Sequence, residues 1–321
     1  MKAVFLDYAS LDQADLDFSR LQAVFDAWVI YSSSTPEQVA ERIQDAEVVI
    51  TNKVLLSAEM LKSNPQLKLI LISATGTNNV DLVQAKVQGI VVCNCQAYGT
   101  SAVAQHTLML MLALSTSVIS YQHAVKQGEW NKSAQFCLLD FPIVELSGKT
   151  LGIIGYGVLG QAVAKLAQAF GMQVLVGTLP NRPQAADRVP FKDLIGQVDY
   201  LSLHCPLSDE TRDLIDASVF DAMKKNAFLI NCARGGIVNE QALVEALKQG
   251  KIAGAATDVL SVEPPKQGNI LLDALANDEI QNLIITPHSA WGSVDARQRI
   301  VDQMLENVEA FNQGSPIRQV S

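Results

Sequence analysis

In the last third of the chain, three short apolar runs each end on side chains that can carry chemistry. Phe228-Leu229-Ile230-Asn231 leads into Cys232-Ala233-Arg234-Gly235-Gly236. Ala255-Ala256-Thr257 leads into Asp258 and on to Glu263-Pro264-Pro265. Leu283-Ile284-Ile285-Thr286-Pro287 leads into His288-Ser289-Ala290-Trp291. In open α/β sheets, ligands sit in the crevice beyond the strand C-termini, so Arg234, Asp258, Glu263 and His288 are expected to converge there. A guanidinium fork suits carboxylates and carbonyls. A histidine can give or take a proton near neutral pH. Taken singly, each residue has a plainer reading: His288 as a turn residue after Thr-Pro, Glu263 as a solvated loop acid, Arg234 as part of a glycine-rich cap. Three of them together, each just past a strand, favour a site. Cys232 has no base beside it in the sequence and is not read as a nucleophile. His106 and His204 are read as structural or cofactor-adjacent, and His123 as solvated.

A second cluster lies upstream. The stretch Leu151-Gly152-Ile153-Ile154-Gly155-Tyr156-Gly157-Val158-Leu159-Gly160 places G-x-G-x-x-G at 155, 157 and 160. Gly155 permits a tight turn after a strand, Gly157 lets the backbone approach a pyrophosphate, and Gly160 lets a helix pack close. The motif follows an apolar run and opens an amphipathic helix from Val158 to Phe170, whose positive end faces the phosphates. The pattern expects an acid at the end of the next strand, to hold the ribose hydroxyls. That strand ends Gly177-Thr178-Leu179-Pro180-Asn181-Arg182, without one. Thr178 offers no repulsion to a 2′-phosphate, and Arg182 either pairs with one or is a solvated loop residue. The cofactor expectation is therefore NAD(H) or NADP(H).

Two α/β series must position these groups. The first has apolar strands at Ala3–Leu6, Trp28–Tyr31, Val48–Thr51, Leu69–Ile72 and Ile90–Cys93, with helices such as Pro36–Ile43 and Asn79–Val87 between them. A helix from Ser101 to about Gly128 follows. The second series has strands at Leu151–Ile154, Gln173–Gly177, Tyr200–Leu203, Ala227–Asn231, Ala253–Thr257 and Leu283–Thr286, and the chain ends in a helix from Val294 to Phe311. Apolar strands alternating with helices predict parallel sheets covered on both faces.

Bulk properties narrow the function. At 321 residues the chain is long enough for two domains. Its net charge of −9 argues against general binding to nucleic acid or an anionic membrane. Five cysteines without a C-x-x-C pair argue against disulfide and zinc frameworks. The N-terminus turns acidic at Asp7, unlike a signal peptide, and the apolar run Thr107–Leu114 is far short of the ~20 residues a membrane span needs. The expectation is a cytoplasmic protein with no metal.

The sequence resembles the D-isomer-specific 2-hydroxyacid dehydrogenase family over nearly its whole length. The marks are Ala74-Thr75-Gly76-Thr77-Asn78-Asn79-Val80-Asp81, Gly128-Glu129-Trp130 to Phe136-Cys137, Glu145-Leu146-Ser147-Gly148-Lys149-Thr150 and His288-Ser289-Ala290-Trp291. The resemblance implies a flavodoxin-like substrate-binding domain (1–100 plus 288–321) and a Rossmann-type nucleotide-binding domain (101–287), with an interdomain cleft that closes during hydride transfer. It implies reduction of a short 2-keto acid, hydroxypyruvate and glyoxylate foremost, to the D-2-hydroxy acid. His288 would donate the proton and Glu263 would favour its charged form. Arg234 would polarise the carbonyl and clamp the carboxylate, and Thr75 and Gly76 would bind that carboxylate through backbone N–H groups. Asp258 would hold the nicotinamide amide. The cofactor lining implied is Gly155, Tyr156, Gly157, Val158, Leu159, Gly160, Thr178, Arg182, Cys205, Pro206, Thr211, Cys232, Ala233, Arg234, Asp258, His288 and Ala290. Trp291 and Phe136 would shape a small pocket, and the chain would form a homodimer largely through the nucleotide domain. Two alternatives stand beside this reading. One is a phosphorylated substrate, whose enzymes usually carry extra C-terminal domains. The other is an NADH-sensing corepressor-like protein, whose relatives carry tails. Formate dehydrogenase relatives lack the glutamate, so Glu263 speaks against them.

Overall fold

The computed structural model describes residues 1–180, 182–183, 185–277 and 280–321. The chain forms two compact units: residues 1–99 with 292–321, and residues 100–291.

The first unit alternates β1 (Lys2–Phe5), α1 (Ser19–Gln22), β2 (Ala27–Ile30), α2 (Pro36–Ile43), β3 (Val48–Thr51), α3 (Ala58–Lys62), β4 (Leu69–Ile72), α4 (Leu82–Val87) and β5 (Val91–Cys93). Its five strands are all parallel, in the order β2-β1-β3-β4-β5, which is the flavodoxin-like order. The central strands β3 and β4 are buried at every position, which is why they read as unbroken Val/Ile/Leu runs. The helix anticipated from Asn79 begins only after Asp81, whose carboxylate accepts from Gln84 N at 2.8 Å. A side-chain cap of this kind contributes about 1 kcal/mol and outweighs the apolar pattern upstream of it.

The second unit comprises α5 (Thr100–Thr116), α6 (Val118–Lys126), α7 (Glu129–Lys132), β6 (Thr150–Ile154), α8 (Val158–Ala169), β7 (Gln173–Thr178), β8 (Val189–Pro190), α9 (Phe191–Ile195), β9 (Tyr200–Leu203), α10 (Ala217–Ala222), β10 (Phe228–Asn231), α11 (Glu240–Lys248), β11 (Gly254–Thr257), α12 (Ile270–Ala276) and β12 (Leu283–Ile285). The order is β12-β11-β10-β9-β6-β7-β8, again all parallel. The direction of strand addition reverses between β6 and β9, and that switch point is where a Rossmann sheet holds its dinucleotide. The short β8 was not foreseen. Pro190 is tolerated there because the strand is the sheet edge, where its missing N–H costs nothing.

One long helix was expected from Ser101 to Gly128. Instead it breaks at Ser117, whose φ is +50°, and α5 and α6 meet at a bend of 60°. The hydroxyls of Ser115 and Thr116 bond back to the carbonyls of Met111 and Leu112, and that of Ser117 bonds to Pro142 O. Three adjacent hydroxyl residues offer the backbone these alternatives to helix continuation. Among the described residues, no single helix is long and apolar enough to cross a membrane. In α5, Val103, Thr107, Leu110, Met111 and Leu114 are buried.

The terminal helix α13 (Val294–Asn312) belongs to the first unit. Arg297 on it grips both oxygens of Asp15, at 2.7 and 2.6 Å, and Asn307 Nδ2 donates to Asn94 O. The boundary falls after Trp291 and not after 287. The amides of Ser289 and Ala290 both donate to Asp258 at 2.9 Å, which ties the His288 segment to the end of β11.

Candidate active site

The glycine turn sits at the switch point. Gly155 follows β6 with φ +93°, and a Cβ there would come within 2.5 Å of Cys205 N and His204 C. A Cβ on Gly160 would drive into the Gly155 carbonyl, whereas one on Gly157 would meet nothing within 4 Å. Two glycines thus exist for the fold, and the third faces open space. Gly157 is the N-cap of α8 and no side chain occupies the cap, leaving the first-turn N–H groups to an anion. At the end of β7 the Thr178 hydroxyl is buried with no partner among the described residues, a fit for a ribose oxygen. These observations suit a dinucleotide. Asn181 of the same turn lies outside the described residues.

Arg182 is paired within the protein. Its Nε and Nη2 donate to Glu210 Oε2 at 3.1 and 2.9 Å, with the arginine side chain 57% exposed. Glu210 was missed from sequence; the only signal was an acid in the loop after β9, the strand beside β6. In that loop Thr211 Oγ1 donates to Pro206 O at 2.7 Å and accepts from Ser208 N, fixing the Cys205–Thr211 segment. Arg188 lies over the Tyr156 ring, 5.2 Å from its centroid.

His204, at the end of β9, has Nε2 2.8 Å from Ser202 Oγ, and burial pulls its pKa down to about 4. An unfolded histidine titrates near 6.5. Protons therefore bind the unfolded chain preferentially between pH 6.5 and 4. Stability from this residue is complete above pH 6.5 and falls as the pH drops, by about 2 kcal/mol at pH 5. Urea titrations at pH 7 and 5 should show a smaller difference for His204→Gln than for wild type.

Beyond β10, Asn231 shapes the arginine turn. Its Oδ1 accepts from Ala233 N and its Nδ2 donates to Arg234 O. Gly235 lets this turn touch the next loop, since a Cβ there would strike Leu260 O. Arg234 is exposed, with Nη1 on Ala233 O at 2.7 Å. Cys232 is buried and its thiol is pushed up to about 12 by burial, which agrees with an inert cysteine.

Beyond β11 and β12 the acid and the histidine meet: His288 Nδ1 lies 2.5 Å from Glu263 Oε2, and Glu263 Oε1 accepts from Leu260 N at 2.8 Å. The two side chains are 37% and 31% exposed, open to a ligand. His288 has φ +52°, a conformation that costs a side-chain-bearing residue about 1–3 kcal/mol unless neighbours hold it. Asp258 holds it. Its carbonyl accepts from His288 N at 2.8 Å, and its carboxylate takes Ser289 N, Ala290 N and the Thr286 hydroxyl. Asp258, expected to serve the nicotinamide, is 2% exposed.

Thr75 and Gly76 lie in the first unit, after β4. Thr75 Oγ1 donates to Cys95 O and Thr75 O accepts from Asn94 Nδ2. Phe136 is 90% exposed. Trp291 packs against the core that includes Leu110 and Ala290. Among the described residues no cluster of His, Cys, Asp and Glu would hold a metal.

A parallel sheet with a dinucleotide turn at its switch point, and an arginine and a histidine–carboxylate pair beyond neighbouring strands, defines a nicotinamide-dependent oxidoreductase. Residues 108–290 match the family of D-isomer specific 2-hydroxyacid dehydrogenases, NAD binding domain. The chain is 46% identical to a glycerate dehydrogenase of Methylorubrum extorquens over 98% of its own length and 97% of that protein. It is 38% identical to a hydroxypyruvate reductase of Blautia hydrogenotrophica, over 100% of both. A D-lactate dehydrogenase with NAD+ from Lactobacillus jensenii superposes with a TM-score of 0.81 at 26% identity, covering 100% of this chain and 99% of that one. The chain belongs to the D-isomer-specific 2-hydroxyacid dehydrogenase family.

Proposed function

We propose that the chain is a soluble glycerate dehydrogenase, working as a hydroxypyruvate reductase that also takes glyoxylate. The observation that carries this is the 2.5 Å His288–Glu263 pair, exposed beyond β12, with Arg234 beyond β10. A reduced nicotinamide bound at the glycine turn would supply a hydride to C2 of the 2-keto acid. His288, with Nδ1 engaged by Glu263, gives its other ring proton to the carbonyl oxygen, and the product is the D-2-hydroxy acid. Glu263 keeps the imidazole oriented. Arg234 pairs with the substrate carboxylate and draws charge from the carbonyl. Gly157 and the first turn of α8 take the pyrophosphate, and Thr178 a ribose hydroxyl. The names of the two relatives above support the choice of substrate. A comparison of kcat/KM for hydroxypyruvate, glyoxylate and a phosphorylated 2-keto acid tests it, and preference for the phosphorylated acid overturns it.

The 2′ position is decided by charge. Arg182 is shared with Glu210, and no acid ends β7, so the proposal is that both NADH and NADPH are used. Thr178→Asp should lower kcat/KM for NADPH at least tenfold relative to NADH by placing a charge against the 2′-phosphate. A wild type limited to NADH removes this part of the reading.

A homodimer belongs to the same proposal. Its support is a run of exposed apolar side chains on the second unit: Ile119, Trp130, Phe136, Leu139 and Ile143. Exposed apolar clusters of this kind mark protein contacts.

A further inference from the structure

We infer that His106, on α5, is a positioning residue for the His288 proton donor, acting through Thr286 and Asp258; this rests on the reading of His288 given above. His106 Nε2 lies 2.9 Å from Thr286 Oγ1, and the Thr286 hydroxyl donates to Asp258 Oδ1 at 2.5 Å. The hydroxyl has a single proton and spends it on the carboxylate. Its oxygen must then accept, so His106 carries a proton on Nε2. The same Asp258 carboxylate, 3.6 Å from His106 Nε2, receives Ser289 N and Ala290 N, and the Asp258 carbonyl receives His288 N. The chain of hydrogen bonds therefore runs from the first third of the sequence to the left-handed residue that gives the proton. His106 touches neither His288 nor Glu263 in this chain of contacts. It fixes the Thr286 hydroxyl on Asp258 Oδ1, the oxygen that also receives Ser289 N, the amide after His288. A half-buried histidine amid the apolar residues of α5 is otherwise a costly choice, since a polar group withdrawn from water needs a partner.

The test uses His106→Leu, His106→Gln, Thr286→Val and the double variant His106→Leu/Thr286→Val, assayed with NADH and hydroxypyruvate. Loosening the donor should act on the chemical step. His106→Leu should lower kcat at least tenfold with KM for both substrates within about twofold. His106→Gln, whose amide N–H reaches the same place, should regain most of the rate. Thr286→Val should reproduce the loss, and the double variant should be no slower than the slower single one. A kcat for His106→Leu within twofold of wild type overturns the inference, as does a His106→Gln variant as slow as His106→Leu. If His106→Leu does not fold, Thr286→Val and His106→Gln decide by the same criteria. A readout free of turnover separates this from failure of the proposed activity. In protein labelled with nitrogen-15 histidine, the His106 Nε2–H proton should be protected from exchange in wild type and lose that protection in Thr286→Val. A wild-type His106 carrying its proton on Nδ1 alone contradicts the inference whether or not any 2-keto acid is reduced.

Discussion

Replacing His288 by asparagine will lower kcat for 2-keto acid reduction at least about 100-fold, the scale on which a positioned acid contributes. Asparagine can still donate to Glu263 from the place of Nδ1, so the loop should keep its shape. What it lacks is a proton that can leave. The backbone at 288 supports this choice. At φ +52° most side chains are strained, and asparagine is among those that adopt the conformation most readily. The melting temperature should therefore change little while the rate collapses. Arg234→Ala should fall as far and should also raise KM for the acid, because its guanidinium is assigned to both carboxylate and carbonyl. Near-normal kcat for either variant would remove the assignment.

The second and third glycines of the turn should separate folding from binding. Gly157→Ala adds a methyl group into space that the chain leaves open, at an ordinary φ of −76°. Its stability should match wild type, and its affinity for NADH should weaken at least tenfold, because the added Cβ occupies the approach of the pyrophosphate. Gly160→Ala is the opposite case. Its Cβ would meet the Gly155 carbonyl, a backbone atom that cannot swing aside. The cost should be roughly 1–3 kcal/mol or more of stability, seen as a lower urea midpoint before any ligand is added. Equal stability of the two variants would contradict the packing described for β6 and α8. Equal NADH affinity of Gly157→Ala and wild type would contradict the pyrophosphate assignment.

The readable parts of this chain were those written in local pattern. Buried parallel strands show as runs of Val, Ile and Leu, and the G-x-G-x-x-G turn shows as spacing. Arg234, Glu263 and His288 could be picked because each follows a strand. What stayed hidden depends on partners far apart in sequence. Glu210 neutralises Arg182 across 28 residues, and His106 reaches Thr286 across 180. Neither pairing has a spacing to read. The break at Ser117 was legible in principle, since Ser115-Thr116-Ser117 is a hydroxyl cluster, but helix periodicity on both sides masked it. Asp258 was found as a polar residue at a strand end, yet its partners are the amides at 289 and 290, which only the folded loop brings to it.

The most direct test is to mix the wild-type protein with NADH and hydroxypyruvate, follow the reduced-nicotinamide absorbance, and resolve the enantiomer formed. Loss of that absorbance with accumulation of D-glycerate is the predicted result. No loss with either NADH or NADPH, or formation of L-glycerate, would contradict the account.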